Sequence, residues 1–151
     1  MVAAFRLTGL TEFSDALKAM ATRVNMATPI ALVASAALVE GKARANLSRY
    51  SHKRGTPTPS PPGRPPALID GNLRSGWEVT PPVPRSPGTW ACTLRPTVVY
   101  AGIQEYGGRA GRGGASVLPP RPYLRPAVED AIHSGVIGDT FTRAWAQAIR
   151  A

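Results

Sequence analysis

The side chains able to do chemistry are few and scattered. Two histidines, His52 and His133, and one cysteine, Cys92, are the only imidazoles and the only thiol in 151 residues. Their separation offers no metal-ligand spacing, and a lone cysteine excludes an internal disulfide. Serine, histidine and aspartate can be picked from almost any chain, but no nucleophile-elbow sequence fixes such a set here. Cys92 falls in a strand pattern, where a small buried residue is the default. His52 sits in a basic segment and reads as solvated, and His133 reads as a helix-surface residue. The glycine- and arginine-rich run 107–114 lacks the Gly-Lys-Ser/Thr ending of a phosphate loop and has no helix after it. It reads as a mobile basic loop. No catalytic constellation, cofactor or metal is expected.

The one acid that stands out is Glu105, alone between Glu78 and Glu129 among many arginines. A charge-assisted pair with Arg121 or Arg125 is expected, fixing the last helix onto a sheet. The net charge is +9 with a pI of about 10.8. The excess is central. Residues 42–74 hold seven basic side chains against Asp70, and residues 85–125 hold six arginines against Glu105. Such a balance attracts nucleic acid, acidic protein or anionic lipid without choosing among them.

The positioning elements are those of a single α+β domain. Phe13, Leu17, Met20, Ala21 and Val24 recur at helical spacing, predicting a first helix over 12–24 capped by Thr11 or Ser14. Thr28-Pro29 is a helix-start signal for a second, alanine-rich helix over 30–46. Its apolar residues go nearly all round, predicting burial on more than one side, by its own domain or a neighbouring subunit. The apolar run from Ile30 to Val39 is too short to span a bilayer and too far along for a signal peptide. The chain therefore reads as soluble and intracellular, with no membrane partner. Six prolines in 57–66 predict an extended, basic arm over 48–70. Strands are predicted at 73–80, 89–95 and 97–101, forming a small antiparallel sheet. Tyr100 to Tyr106 leaves it as a helical turn, the tyrosine rings packing on the sheet. A long C-terminal helix with Pro126 in its first turn follows and packs on the sheet. Gly135 and Gly138 are candidate interruptions, with Asp139 as a cap.

Three stretches carry a resemblance. They are Leu68-Ile69-Asp70-Gly71-Asn72-Leu73-Arg74-Ser75-Gly76-Trp77, Val99-Tyr100-Ala101-Gly102-Ile103-Gln104-Glu105-Tyr106-Gly107 and Leu118-Pro119-Pro120-Arg121-Pro122-Tyr123-Leu124-Arg125-Pro126-Ala127. In this order, over residues 10–150, the chain resembles the tail-completion or head–tail connector (neck) proteins of long-tailed bacteriophages. That family shows an Asp-Thr-Gly-x-Leu-Arg-x-Ser-like turn, a Tyr-Ala-x-x-x-Glu-x-Gly segment and an Arg-Pro-Phe-Leu-Arg-Pro-Ala segment. Here the threonine is missing, Tyr106 and Tyr123 replace phenylalanine, and the arm is unusually rich in proline.

The resemblance implies a connector domain over 1–151, with the arm at 48–70 and the Gly/Arg loop at 107–118. It implies a non-enzymatic virion subunit assembled in the host cytoplasm into a ring of six at the head–tail junction of a siphophage. Its partners are then its own copies, the head-closure proteins, the tail tube or terminator, and DNA passing through the lumen. The structural motif residues carried over are Asp70, Gly71, Leu73, Arg74, Tyr100, Glu105, Gly107, Arg121, Pro122, Arg125 and Pro126. Arg49, Lys53, Arg54 and Arg64 in the arm, with Arg109 and Arg112 in the loop, are the expected partner contacts, ordered only on assembly. The arm suits docking on an acidic neighbour better than on DNA. The alternatives are a tail-terminator ring and a free-standing, non-specific DNA-binding module.

Overall fold

The computed structural model describes residues 8–53, 55 and 59–150. Helix α1 (Leu10–Leu47) is the spine. After the arm come a helical turn α2 (Asn72–Ser75) and strands β1 (Trp77–Val79), β2 (Val83–Ser86), β3 (Thr89–Ala91) and β4 (Leu94–Pro96). Then follow α3 (Ala101–Tyr106), β5 (Gly108–Ala110), a 3-10 turn (Arg112–Gly114), β6 (Ser116–Leu118), α4 (Leu124–His133) and α5 (Val136–Arg150). The class is mixed helix and strand, with small antiparallel sheets and a long helical C-terminus.

The two expected N-terminal helices are one helix of 38 residues, about 57 Å long at 1.5 Å per residue. Pro29 lies inside it, although an interior proline costs about 3 kcal/mol. The Thr28 hydroxyl does not cap a helix; it donates back to the Val24 carbonyl at 2.8 Å. Tertiary packing offsets the proline. Trp145 Nε1 of α5 donates to Thr28 Oγ1 at 3.1 Å, and Trp90 Nε1 of β3 donates to Asn25 Oδ1 at 2.9 Å. Neither Thr11 nor Ser14 caps the start, because the helix already begins at Leu10. By length and composition this single helix is long and apolar enough to cross a membrane, which the run from Ile30 to Val39 alone is not.

The sheet region is also rearranged. β1 pairs with β4 in register Trp77↔Pro96, Glu78↔Arg95 and Val79↔Leu94, and β2 pairs with β3 inside that loop. The expected alternation survives at Trp77 and Val79, half-buried, with Glu78 exposed between them. Residues 72–75 turn helical instead of extending the strand, and 97–101 leads into α3 instead of forming a third strand. The Gly/Arg loop carries a third two-stranded ladder, β5 with β6.

The C-terminal helix breaks at Gly135, whose φ of +73° stops α4 before α5 begins. Gly138 lies inside α5, and Asp139 sits in its first turn. Both helices pack along α1, not on a sheet. The reason lies in the alanines. Ala31, Ser35, Val39, Ala43 and Leu47 form a buried stripe on α1, which Ala127 and Ala131 of α4 can approach closely. Elsewhere on α1 the described residues leave apolar side chains open. Ile30 is 70% exposed, and an open apolar groove is lined by Pro29, Ile30, Val33, Ala34, Ala37 and Pro82.

Candidate functional site

The three stretches that carry the resemblance meet at the C-terminal end of α1. Ala43 and Leu47 of α1, Leu73 of α2, Ala101 of α3, and Tyr123 and Ala127 around the start of α4 form one buried cluster. Trp77, Val98 and Leu124 pack against it. Tyr123 is its largest member, 1% exposed, and meets Trp77 edge-on at 6.1 Å between ring centroids. Its hydroxyl donates to the Ala101 carbonyl at 3.4 Å. Burial, and then the nearby Glu105 carboxylate, push that hydroxyl far above the ordinary phenol range, so it stays a donor.

Glu105 is 6% exposed and forms no ion pair with an arginine among the described residues. Its Oε2 accepts from the backbone amides of Tyr123 at 2.9 Å and Leu124 at 3.0 Å, and its Oε1 from the amide of Arg125 at 2.8 Å. A helix leaves its first four amides without intrahelical partners. Glu105 takes three of them, and the next residue, Pro126, has no amide to satisfy. The carboxylate also complements the positive end of the helix dipole. So Glu105 does fix the last helical region, but through backbone donors and from another element. The expected partners are engaged elsewhere: Arg121 Nε donates to the Ser60 carbonyl at 3.0 Å, and Arg125 lies 3.8 Å from Glu129.

Two glycines make the close approach possible. Gly107 ends α3 with φ +73°, and a Cβ there would sit 2.8 Å from both the Leu118 oxygen and the Pro120 nitrogen. Gly76 has an ordinary φ, but a Cβ would lie 2.7 Å from Thr97 Oγ1. Gly71 begins α2 at φ +75°, and the Ser75 hydroxyl donates to its carbonyl at 3.1 Å. Arg74 reaches Ser48 Oγ at 3.4 Å, and its carbonyl accepts from Trp77 Nε1 at 3.0 Å. Asp70 is exposed just before this turn, and Pro122 is half-buried between Arg121 and Tyr123.

Sequence reasoning missed Asn46, whose buried amide donates to the Tyr123 carbonyl at 3.0 Å. A lone amide in an alanine-rich run was the available signal. Sequence reasoning also misplaced the tyrosines. Tyr106 is 80% exposed and Tyr100 is also exposed, so neither packs on a sheet.

The expected contact residues lie on separate elements. Arg49 follows the last turn of α1, and Lys53 and Arg64 are exposed in the arm. Arg54 lies outside the described residues. Arg109 is tied to its hairpin by a 3.2 Å bond from Nε to the Gly114 carbonyl, and Arg112 is exposed in the tip. Part of the arm is seated on its own chain, contrary to the expected order only on assembly. Pro65 and Pro66 are buried, and the Gly63 amide donates to the Pro120 carbonyl at 2.9 Å. His52 is half-buried, with Nδ1 3.0 Å from the Lys53 carbonyl. His133 is exposed at the end of α4, and half-buried Cys92 has its thiol pKa raised by burial. Among the described residues no group of three or more His, Cys, Asp or Glu side chains could hold a metal. Compared with protein-family models, curated proteins and solved structures, the chain matches none.

Proposed function

We propose that this chain is a structural, non-enzymatic subunit of the neck of a long-tailed phage, acting in tail completion as a ring around the DNA channel. One observation carries the reading. The three stretches that resemble the connector family, far apart in sequence, are joined in one packed junction by Tyr123 and Glu105. Motif residues that meet in this way form one folding unit, which supports reading the three stretches together.

A second observation fits a subunit that neighbours must complete. The face of α1 formed by Leu10, Phe13, Leu17 and Met20 is exposed, with Phe13 at 62%. With the groove along Pro29 to Ala37, this gives apolar surface on two stretches of one helix. Large apolar patches on a lone chain mark association surfaces. Heterologous contacts between identical subunits make a ring when the rotation between copies closes, as a channel of six copies requires. Head-closure proteins and the tail tube or terminator would meet the ring on its two sides.

The test is electron cryomicroscopy of the particle that carries this protein. The expected density is a ring of its copies at the junction of capsid and tail. Finding the copies elsewhere, or only in the infected cell and never in the particle, removes the proposal.

A further inference from the structure

Arg121 is 7% exposed, and burial of a guanidinium ordinarily requires a paired anion. Its side chain makes one hydrogen bond, from Nε to the Ser60 carbonyl at 3.0 Å. Among the described residues no carboxylate forms an ion pair with it. Glu105, close in sequence, has both oxygens committed to the amides of α4. The backbone on either side is held firmly. The Arg121 amide donates to the Gln104 carbonyl at 2.7 Å, and the Pro120 carbonyl accepts from Gly63 at 2.9 Å. Ser60 Oγ, also buried, has no hydrogen-bond partner among the described residues.

Arg121 and Ser60 line a cleft of about 260 Å³ between the arm and the strap leading to α4, with His52, Pro59, Pro66 and Gln104. Nε is spent on the Ser60 carbonyl, so the free edge of the guanidinium is its two terminal nitrogens. Two parallel N–H donors match the two oxygens of a carboxylate. Proline rings on the wall suit the methylene stem of an acidic side chain.

We propose that this cleft receives the carboxylate of an aspartate or glutamate from a partner protein, held end-on by the terminal nitrogens of Arg121. A duplex phosphate is a poorer fit, because the bulk of the backbone on both sides of a phosphodiester cannot follow it into a cleft. The inference rests on the cleft alone and stands whether or not the protein belongs to a neck.

The experiment is an NMR titration of the full chain labelled with nitrogen-15, following the Arg121 Nε–Hε resonance. The probes are N-acetylglutamate amide, its neutral glutamine counterpart and a short DNA duplex, all at one ionic strength. The expected result is a saturable shift with the glutamate probe, none with the glutamine one, and at least fivefold weaker saturation of that resonance with the duplex. Arg121→Lys keeps the charge and loses the fork, and should weaken the glutamate probe about tenfold, read in both proteins from the backbone amides of Gln104 and residue 121. Absence of saturation in the unsubstituted protein, equal saturation of the Arg121 resonance by the duplex, or unchanged affinity in the lysine variant each overturns the proposal.

Discussion

The two ends of α1 carry similar apolar spacing and meet opposite fates. At the C-terminal end, Ala43 and Leu47 are covered by residues from α2, α3 and α4, and every donor at the start of α4 has a partner or is absent. At the N-terminal end, Leu10, Phe13, Leu17 and Met20 form an equally regular stripe that the described chain leaves exposed, Leu10 and Phe13 most of all. Periodicity thus marks a face as apolar without saying what, if anything, packs on it. The junction is finished inside one subunit, and on the proposed reading the other end is finished by a neighbour.

The heaviest blow to the finished end should come from Glu105→Ala. It leaves three amides without their acceptor, at about 1–3 kcal/mol for each unsatisfied buried group. A loss of about 4 kcal/mol in urea unfolding is expected, against about 2 kcal/mol for Glu105→Gln, which keeps an acceptor oxygen. A loss below about 1 kcal/mol for the alanine variant would show that the cap does not organise the junction. Next in size is Gly107→Ala, expected to cost about 3 kcal/mol through its positive φ and its contact with the backbone of 118–120. A thermal melt measures this, and an unchanged midpoint would rule the close approach out.

The unfinished end should respond in the reverse sense. The double variant Phe13→Ser and Leu17→Ser is expected to change monomer stability by no more than about 0.5 kcal/mol, because both side chains are exposed. Light-scattering mass should nevertheless show assembly lost. Destabilisation comparable to that of Glu105→Ala would mean the stripe is covered within the subunit.

Smallest is the ion pair of Lys42 with Asp130, which ties α1 to α4 at the surface. The hydrogen bond from Lys42, followed by its charge, lowers the Asp130 pKa below its usual 3.8. A depressed carboxyl pKa contributes stability above the unfolded value, and that contribution is lost as pH falls through the folded one. Asp130→Asn should therefore matter little in acid below that range and slightly more at neutral pH. A variant that is relatively worse in acid contradicts the sign.

Several of these features were legible in the residue order. The alternation at Trp77 and Val79, the helical turn at 100–106 and the placement of Pro126 in a first turn all follow local rules. Glu105 was conspicuous through its isolation among arginines, yet charge counting pointed to a guanidinium. Backbone amides carry no sequence signature, so a cap supplied from another element is invisible until the fold is known. Thr28-Pro29 is locally a helix start, and only the packing of Trp145 and Trp90 against that stretch lets α1 run through it. Prolines announced an extended arm, but its described part turns at 62–64 and its two ends pair, Leu68 donating to the Tyr50 carbonyl at 2.7 Å. That part of it lies back on its own chain depends on backbone pairings, Gly63 to Pro120 and Leu68 to Tyr50 among them, and on the guanidinium of Arg121.

Hydrogen–deuterium exchange, compared between the free protein and the protein in its assembled particle, tests the contrast between the two ends most directly. The account predicts slow exchange at Tyr123, Leu124 and Arg125 in both states. It predicts that the segment from Leu10 to Val24 exchanges quickly when free and becomes protected on assembly. Equal protection of that segment in both states, or fast exchange at the α4 start in the free protein, would contradict it.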